Sequence, residues 1–599
     1  MSNRQAVGRG AQGRTHARRA ALRPCAVAAI WLCATHGVWA QANASAPRAF
    51  GPFVDEQRQQ ERERALRQQQ EPRVDARLPA PAGLLANRLP EAETPCFQID
   101  RLILAGERAE DFEWALSAAG EVAAAGGGTE APLGRCLGTA GVNIVLARVQ
   151  QALIGRGWVT TRVLAAPQDL ASGTLTLTLV PGRIAAIRFA EGSNATTDLR
   201  NAIAARPGDL LNLRDIEQAL ENFKRLPTAD ADIQIEPSTA AGAHPGDSDL
   251  VVKYTRKSPL RTTLSLDDSG TETTGRTQAG LTLAWDGPLG LNDLAYVSLN
   301  HDAFNHSGQG TSGQTLHYSI PYGDWLLGAT ASQNRYHQSV AGYLQSYVYS
   351  GESRNAELRL SRLIYRDQQR KTTVSLRGFR RASNSFVEDT EIGVQRRVVG
   401  GWELGMNHRE FFDVFGNGAT LDANLQYRRG TGAFGALPAP EEGFDEGTSR
   451  MRMFTADASL NLPFAAGGQR LRYIALWRAQ WNRTPLTPQD RFSIGGRYTV
   501  RGFDGESSLM GDRGWLVRND LGWALGQTGA ELYAGLDYGA IGGPSAGLMY
   551  GRHLMGGAIG VRGAVQGLSY DLFIGVPISK PEGYRTAKTT AGFNLNYSF

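Results

Sequence analysis

From Pro259 to Phe599 the sequence carries no helical period; short segments alternate apolar and polar side chains, broken by turns of Gly, Asn and Asp. Leu260, Thr262, Leu264 and Leu266 alternate with Arg261, Thr263, Ser265 and Asp267. Leu532, Ala534, Leu536 and Tyr538 alternate with Glu531, Tyr533, Gly535 and Asp537. At the end, Phe593, Leu595, Tyr597 and Phe599 alternate with Asn594, Asn596 and Ser598. Successive side chains of a strand point to opposite faces, so each segment has one greasy face and one wet face. Repeated without intervening helices, that pattern predicts a transmembrane β-barrel with a polar lumen. About 16 such segments can be marked, from near residue 260 to near 589, an even number as single-chain bacterial barrels have. A soluble sandwich has no need of strands of about ten residues over this length.

After the first forty residues no apolar run approaches the ~18 needed for a helical span. The formal charge of +5 does not point to nucleic acid. Residues 1–40 hold Arg4, Arg9, Arg14, Arg18, Arg19 and Arg23 and no acid, so the chain without them is near neutral. Those forty residues have the three parts of a secretory signal: an arginine-rich start, an apolar Cys25–Ala34 segment, and Val38-Trp39-Ala40 at the cleavage positions. Leu32 before Cys33 is too bulky for a lipoprotein signal. Cys25 and Cys33 leave with it, and Cys96 and Cys136 remain. In an exported chain they are expected to form one disulfide; a metal site is the weaker alternative, because no His lies near either.

Ahead of the barrel lie three zones. Phe53–Gln70 contains no Gly or Pro and is rich in Glu, Gln and Arg, which predicts a helix. It has no apolar stripe, so it either lies in a wet channel or lacks fixed structure in the free protein. Residues 71–95, with five prolines, read as a linker. Residues 96–183 and 184–256 read as two successive α+β modules. The first is expected to hold a strand over Phe97–Leu104, a helix over Asn143–Ile154 and a strand at Leu175–Leu179. In the second, a strand at Ile184–Phe189 precedes helices at Thr197–Ala205 and Leu213–Leu226 and strands near Ile233 and Leu250.

This layout resembles the two-partner secretion transporters, the TpsB branch of the BamA-type barrel superfamily, over nearly the whole mature chain. Cys96-Phe97-Gln98-Ile99, Gly157-Trp158-Val159-Thr160-Thr161-Arg162-Val163, Gln168-Asp169-Leu170 and Val180-Pro181-Gly182 resemble the first POTRA domain of that family. Val500-Arg501-Gly502-Phe503, after Phe492-Ser493-Ile494-Gly495-Gly496, resembles the tip of its sixth surface loop, here about 482–513. Gly535-Leu536-Asp537-Tyr538-Gly539 resembles the wall motif that receives this tip. Parity with Glu531 and Tyr533 independently puts Asp537 on the lumen face, between glycines (Gly535, Gly539) that leave room for a loop.

The resemblance implies a plug helix at 53–70, a linker, two periplasmic POTRA domains and a 16-strand barrel over 259–599. It implies an outer-membrane transporter that captures a large exoprotein through the secretion domain at that partner's N-terminus. The transporter then exports it through the lumen without ATP. Arg501 and Asp537 would act as a conformational pair. Phe593, Leu595, Tyr597 and Phe599, on a last strand expected to close the barrel, resemble the signal read by the barrel-assembly machinery. Contact with outer-membrane lipids and lipopolysaccharide follows from the location. No nucleotide loop or HExxH pattern is present, so no enzyme, cofactor or metal is expected. The alternative reading is an outer-membrane insertion factor of the same superfamily.

Overall fold

A computed structural model describes residues 51–78, 88–120, 130–193, 196–304 and 308–599, with side chains from Glu56 onward. The expected signal over 1–40 lies outside the described residues.

The first element, α1 (Gly51–Gln70), is a helix without an apolar face. In the first module, β1 (Phe97–Ile99) pairs antiparallel with β3 (Arg135–Leu137), while β2 (Arg101–Gly106) enters a separate sheet. The expected single strand over Phe97–Leu104 therefore breaks at Asp100, where the chain changes partners. The helix α2 (Thr139–Gly155) follows, then β4 (Arg162–Leu164) and β5 (Thr174–Val180), with β2 parallel and β4 antiparallel to β5. Leu175, Leu177 and Leu179 face a core of Ile99, Phe112, Val145, Val149 and Leu153. Sequence reading missed the 3-10 segment Ala109–Gly120, whose Phe112 and Ala115 are buried in that core.

Two features tie the linker to this module. Leu89 is buried in its core. The Glu93 carboxylate accepts from the backbone N–H groups of Gly138, Ala140 and Gly141 at 2.8–3.0 Å. These are orphan donors at the start of α2, whose own N-cap residue, Gly138, has no side chain to offer. Next to them, Cys96 and Cys136 are joined by a disulfide.

In the second module β6 (Ile184–Phe189) is followed by α3 (Leu199–Ala202), α4 (Leu213–Lys224), β7 (Ala229–Pro237) and β8 (Ser248–Arg256); the sheet order is β6-β8-β7. The helix expected over Thr197–Ala205 is a single turn. Ile203 is already extended, at φ −104° and ψ 120°, and the residue preceding Pro207 is steered away from α conformation. Ile216, Ala219, Leu220 and Phe223 of α4 pack with Leu250, Val252 and Tyr254.

The rest is a closed barrel of sixteen strands. They are β9 (Leu260–Asp267), β10 (Gln278–Asp286), β11 (Leu294–Asp302), β12 (Gln309–Tyr322), β13 (Trp325–Ala341), β14 (Ser346–Arg366), β15 (Arg370–Val387), β16 (Arg397–Val414), β17 (Asn417–Thr431), β18 (Arg452–Ala466), β19 (Gln469–Asn482), β20 (Arg513–Ala524), β21 (Ala530–Gly542), β22 (His553–Val565), β23 (Leu568–Ser579) and β24 (Thr590–Ser598). Each is antiparallel to its neighbours, and β24 closes on β9 with Leu595 opposite Leu266 and Tyr597 opposite Leu264. These four, with Leu358, Leu360, Leu572 and Ile574, point outward as a greasy surface, while Asp422, Asn424 and Gln426 point inward. No helix among the described residues is long and apolar enough to cross a membrane.

The second module is fastened to two turns at one end of the barrel. Asp198 N–H donates to Gly290 O (2.8 Å), Gly323 N–H to Asn201 O (2.7 Å), and the Asn222 amide to Gly323 O (2.8 Å). Arg366 of β14 donates to Glu217 and Glu221 of α4, both at 3.0 Å.

Candidate functional site

At the opposite end, residues 483–512 join β19 to β20 and turn back into the lumen. A short ladder, Phe492–Ile494 against Leu509–Gly511, stiffens the fold of this loop. Its apolar residues Ile494, Val500, Phe503 and Leu509 are buried with Leu516, Ile541, Leu554 and Tyr584 of the wall and the last surface loop. Phe503 meets Tyr584 edge-on at 5.8 Å. The tip needs the conformation only Gly adopts freely: Gly502 has φ +92°, and a Cβ there would lie 2.4 Å from Val576 O. The wall makes matching room, since a Cβ on Gly556 would lie 1.9 Å from Arg501 O.

Arg501 is 3% exposed and Asp537 1%. The Arg501 backbone N–H and Nε donate to Asp537 Oδ2 at 2.9 and 2.8 Å, and Nη2 donates to Oδ1 at 2.7 Å. This is a two-pronged charge-assisted clasp with a third bond from the main chain. Nη2 also donates to Asp520 Oδ1 at 2.5 Å. Asp520 in turn accepts from Arg562 (2.9 Å), and Arg562 and Arg472 both donate to Glu531 (2.8 Å each). The expected pair is therefore one end of a chain of six charges, Arg501 on the loop and five on β19 to β22. Asp520 and Arg562 were not singled out from sequence, and Glu531 was placed on the lumen face without a role. Strand parity could have found Asp520, because Trp515, Val517, Leu521 and Trp523 occupy the other face of β20.

The helix α1 lies in the lumen against this loop. Gln57 donates to Arg491 O (2.9 Å), and Arg58 to Gly270 O (2.8 Å) and to Gly505 O of the loop. On the wall side Arg478 donates to Glu61 (2.7 Å) and Arg67 to Glu357 (2.5 Å). Leu66 meets an apolar patch, Leu226, Ala284, Leu294 and Tyr296, at the module end. Beside the helix remains a cavity of about 820 Å³ lined by charged and polar groups of helix, loop and wall. Where α1 ends, the linker runs extended between module and barrel. Leu78 N–H donates to Glu217 (2.8 Å), Arg366 to Ala76 O (2.6 Å), and the Arg77 guanidinium lies 4.2 Å from the Phe411 ring centre. Nearby, burial and then Asp324 of the β12–β13 turn and Asp209 push the Asp215 carboxyl up to about 6.

Phe593, Leu595 and Tyr597 lie on the outer face of β24, beside Leu572, Tyr570 and Leu568 of β23. Phe599 continues the seam, exchanging two backbone hydrogen bonds of 3.0 Å with Thr262.

Comparison with known proteins converges on one group. The family model described as haemolysin secretion/activation protein ShlB/FhaC/HecB matches residues 246–563. POTRA models match 129–182, in a ShlB-type form, and 183–237. The outer membrane transporter CdiB-2 of Burkholderia pseudomallei is 37% identical over 569 residues, 91% of this chain and 94% of that one. The hemolysin transporter protein ShlB of Serratia marcescens is 26% identical, covering 68% of this chain and 71% of its own. Among solved structures, CdiB from Acinetobacter baumannii superposes with TM-score 0.78 at 29% identity, over 93% of this chain and all of that one.

Proposed function

The chain belongs to the ShlB/FhaC/HecB family of haemolysin secretion/activation proteins, and from that membership we propose how its parts divide the work of export. The protein is an outer-membrane transporter of the two-partner secretion class, with its POTRA domains in the periplasm and a secreted exoprotein as partner. A relative covering nine-tenths of the chain carries a transporter name, which favours this reading over the insertion-factor alternative.

In our reading the POTRA domains take hold of an N-terminal secretion domain of the exoprotein while it is extended, by adding it to a sheet edge. The chain then threads the lumen and folds outside, and that folding supplies direction in a compartment without ATP. The helix α1 is the plug and must leave for a chain to pass; its polar contacts on every side can be exchanged for water. The clasp of Arg501 on Asp537 holds the sixth loop inside the barrel. Val500 and Phe503 seat its tip, and Gly535 and Gly539 keep the wall low enough to admit it. The disulfide Cys96–Cys136 fixes the linker's entry into the first POTRA domain. The outward row Phe593, Leu595, Tyr597 and Phe599 is read by the barrel-assembly machinery during insertion, and the finished barrel contacts outer-membrane lipids and lipopolysaccharide.

The observation that carries this reading is the joint presence of a helix-filled polar lumen and two POTRA modules, the second hydrogen-bonded to the barrel mouth. Deleting Cys96–Tyr254 should leave a barrel that inserts and stays heat-modifiable but exports nothing. Export at the wild-type level by that deletion would remove the recognition role.

A further inference from the structure

The outward face of β16 to β19 carries two adjacent cross-strand rows near the end that bears the inward-folded loop. In the lower row Tyr427 stands opposite Phe454, and Phe454 opposite Trp481. In the row above, Trp402 stands opposite Arg429 and Arg429 opposite Arg452. Arg483 continues that row, its N–H donating to Arg452 O at 2.7 Å. Both rows share the greasy face, because Leu404 and Leu425, of the same parity, are exposed at 48% and 46%. Tyr427 meets Phe454 at 4.9 Å along the lower row, and Trp402 of the upper row meets Tyr427 at 5.6 Å.

The guanidinium groups of Arg429, Arg452 and Arg483 are exposed, and none forms an ion pair among the described residues. Arg450, two residues before Arg452, is exposed and likewise unpaired. By contrast, Arg335 and Arg354 on the neighbouring outer face share Glu352. Neighbouring strands are about 4.8 Å apart, so three like charges sit within roughly 10 Å. Like charges directly opposite one another destabilise a sheet. A row of this kind is stable when an anion is shared across it.

Its height identifies the anion. Aromatic side chains of a barrel mark the boundary between hydrocarbon and headgroups, so the arginines one step beyond Tyr427, Phe454 and Trp481 stand at the level of lipid phosphates. Arginine binds phosphate with two parallel hydrogen bonds, and three unpaired positive charges call for more than one negative charge on a single ligand. We infer that Arg429, Arg452 and Arg483 form a binding site for a multiply phosphorylated glycolipid of the outer leaflet, its acyl chains lying against Tyr427, Phe454 and Trp481. This rests on the outer-membrane reading above, with the loop end facing outward.

The test uses the full-length protein in detergent and native mass spectrometry with diphosphorylated lipid A. Wild type should bind it at least tenfold more tightly than the R429Q/R452Q/R483Q variant, and at least tenfold more tightly than it binds the dephosphorylated lipid. The R335Q/R354Q variant should bind like wild type. Equal binding by wild type and triple variant, or indifference to the phosphates, would overturn the site. Full displacement of the lipid by inorganic phosphate at matched phosphate concentration would overturn the commitment to a lipid. Should the triple variant fail to migrate as a heat-modifiable barrel, the R452Q variant and the phosphate comparison on wild type decide. Orientation is checked separately: Tyr343, 99% exposed at the tip of the β13–β14 hairpin, replaced by Cys should react with an impermeant maleimide on intact cells. Labelling without lipid discrimination rejects the site alone; no labelling rejects the orientation beneath it.

Discussion

Replacing Arg501 or Asp537 by Ala should not have equal effects, because their surroundings differ. Arg501→Ala leaves Asp537 buried at 1% exposure, held by one backbone N–H and by Arg518 at 3.8 Å. Stranding a buried charge in this way costs about 3–5 kcal/mol. Asp537→Ala leaves Arg501 with Asp520 at 2.5 Å, so its charge remains compensated. The loss is then of hydrogen bonds to a charged group, about 2–3 kcal/mol in all. At about 1.4 kcal/mol per factor of ten, the loop's docking equilibrium should fall by about 10²–10⁴ in the first variant and by about 30–150 in the second. Removing Asp537 from the Arg501→Ala background should relieve the stranded carboxylate, so the double variant is milder than Arg501→Ala alone. The assay is cleavage within 483–512 by proteinase K added to intact cells, read beside exoprotein export, with heat-modifiable migration as the check on insertion. Equal single effects that add in the double variant would refute the reasoning, since independence is what two unconnected residues show.

Deleting 51–70 should raise single-channel conductance in planar bilayers and antibiotic entry into cells while the barrel still inserts; unchanged conductance would mean that α1 does not obstruct the lumen. Cys96→Ser opens a covalent loop spanning 40 residues, and should destabilise the first POTRA domain by about 3–4 kcal/mol, seen as earlier urea unfolding of that domain with barrel melting unchanged. Asp215, raised to about 6 from 3.8, binds its proton more tightly in the folded state. Its neutral form therefore favours the folded, docked second POTRA domain, and that advantage is lost as pH rises from about 4 through about 6. Asp215→Asn should raise the urea midpoint of that domain at pH 7.5 and leave it unchanged at pH 3.5; an equal gain at both pH values would show that titration is not the cause.

The barrel was legible because a two-residue period over sixteen strands repeats one physical demand, lipid outside and water inside. The tip Val500–Phe503 and its receiver around Asp537 were legible from motif and parity together. What sequence did not yield depends on contacts between distant segments. Asp520 and Arg562 matter because β20 and β22 flank β21, a neighbourhood fixed only by register. The break at Asp100 arises because β1 and β2 find different partners, and nothing local in Phe97–Gly106 announces it. The shortening of the helix expected at Thr197–Ala205 was not in reach, since Pro207 restricts only Arg206, one residue past that range. Arg429, Arg452 and Arg483 look in sequence like three unrelated surface arginines and become a row only when β17, β18 and β19 are laid side by side.

Leu89 is buried in the first POTRA core, and Glu93 caps its helix. A displaced α1 therefore stays on a leash that begins at Leu89 and reaches Gln70 nineteen residues earlier. Fully extended, that leash spans about 63–68 Å. A segment held so close to its own socket returns at an effective concentration in the millimolar range. Re-closure is then a first-order event, independent of how many copies of the transporter a cell makes. A free peptide with the sequence of α1, added at micromolar concentration, would compete poorly against it.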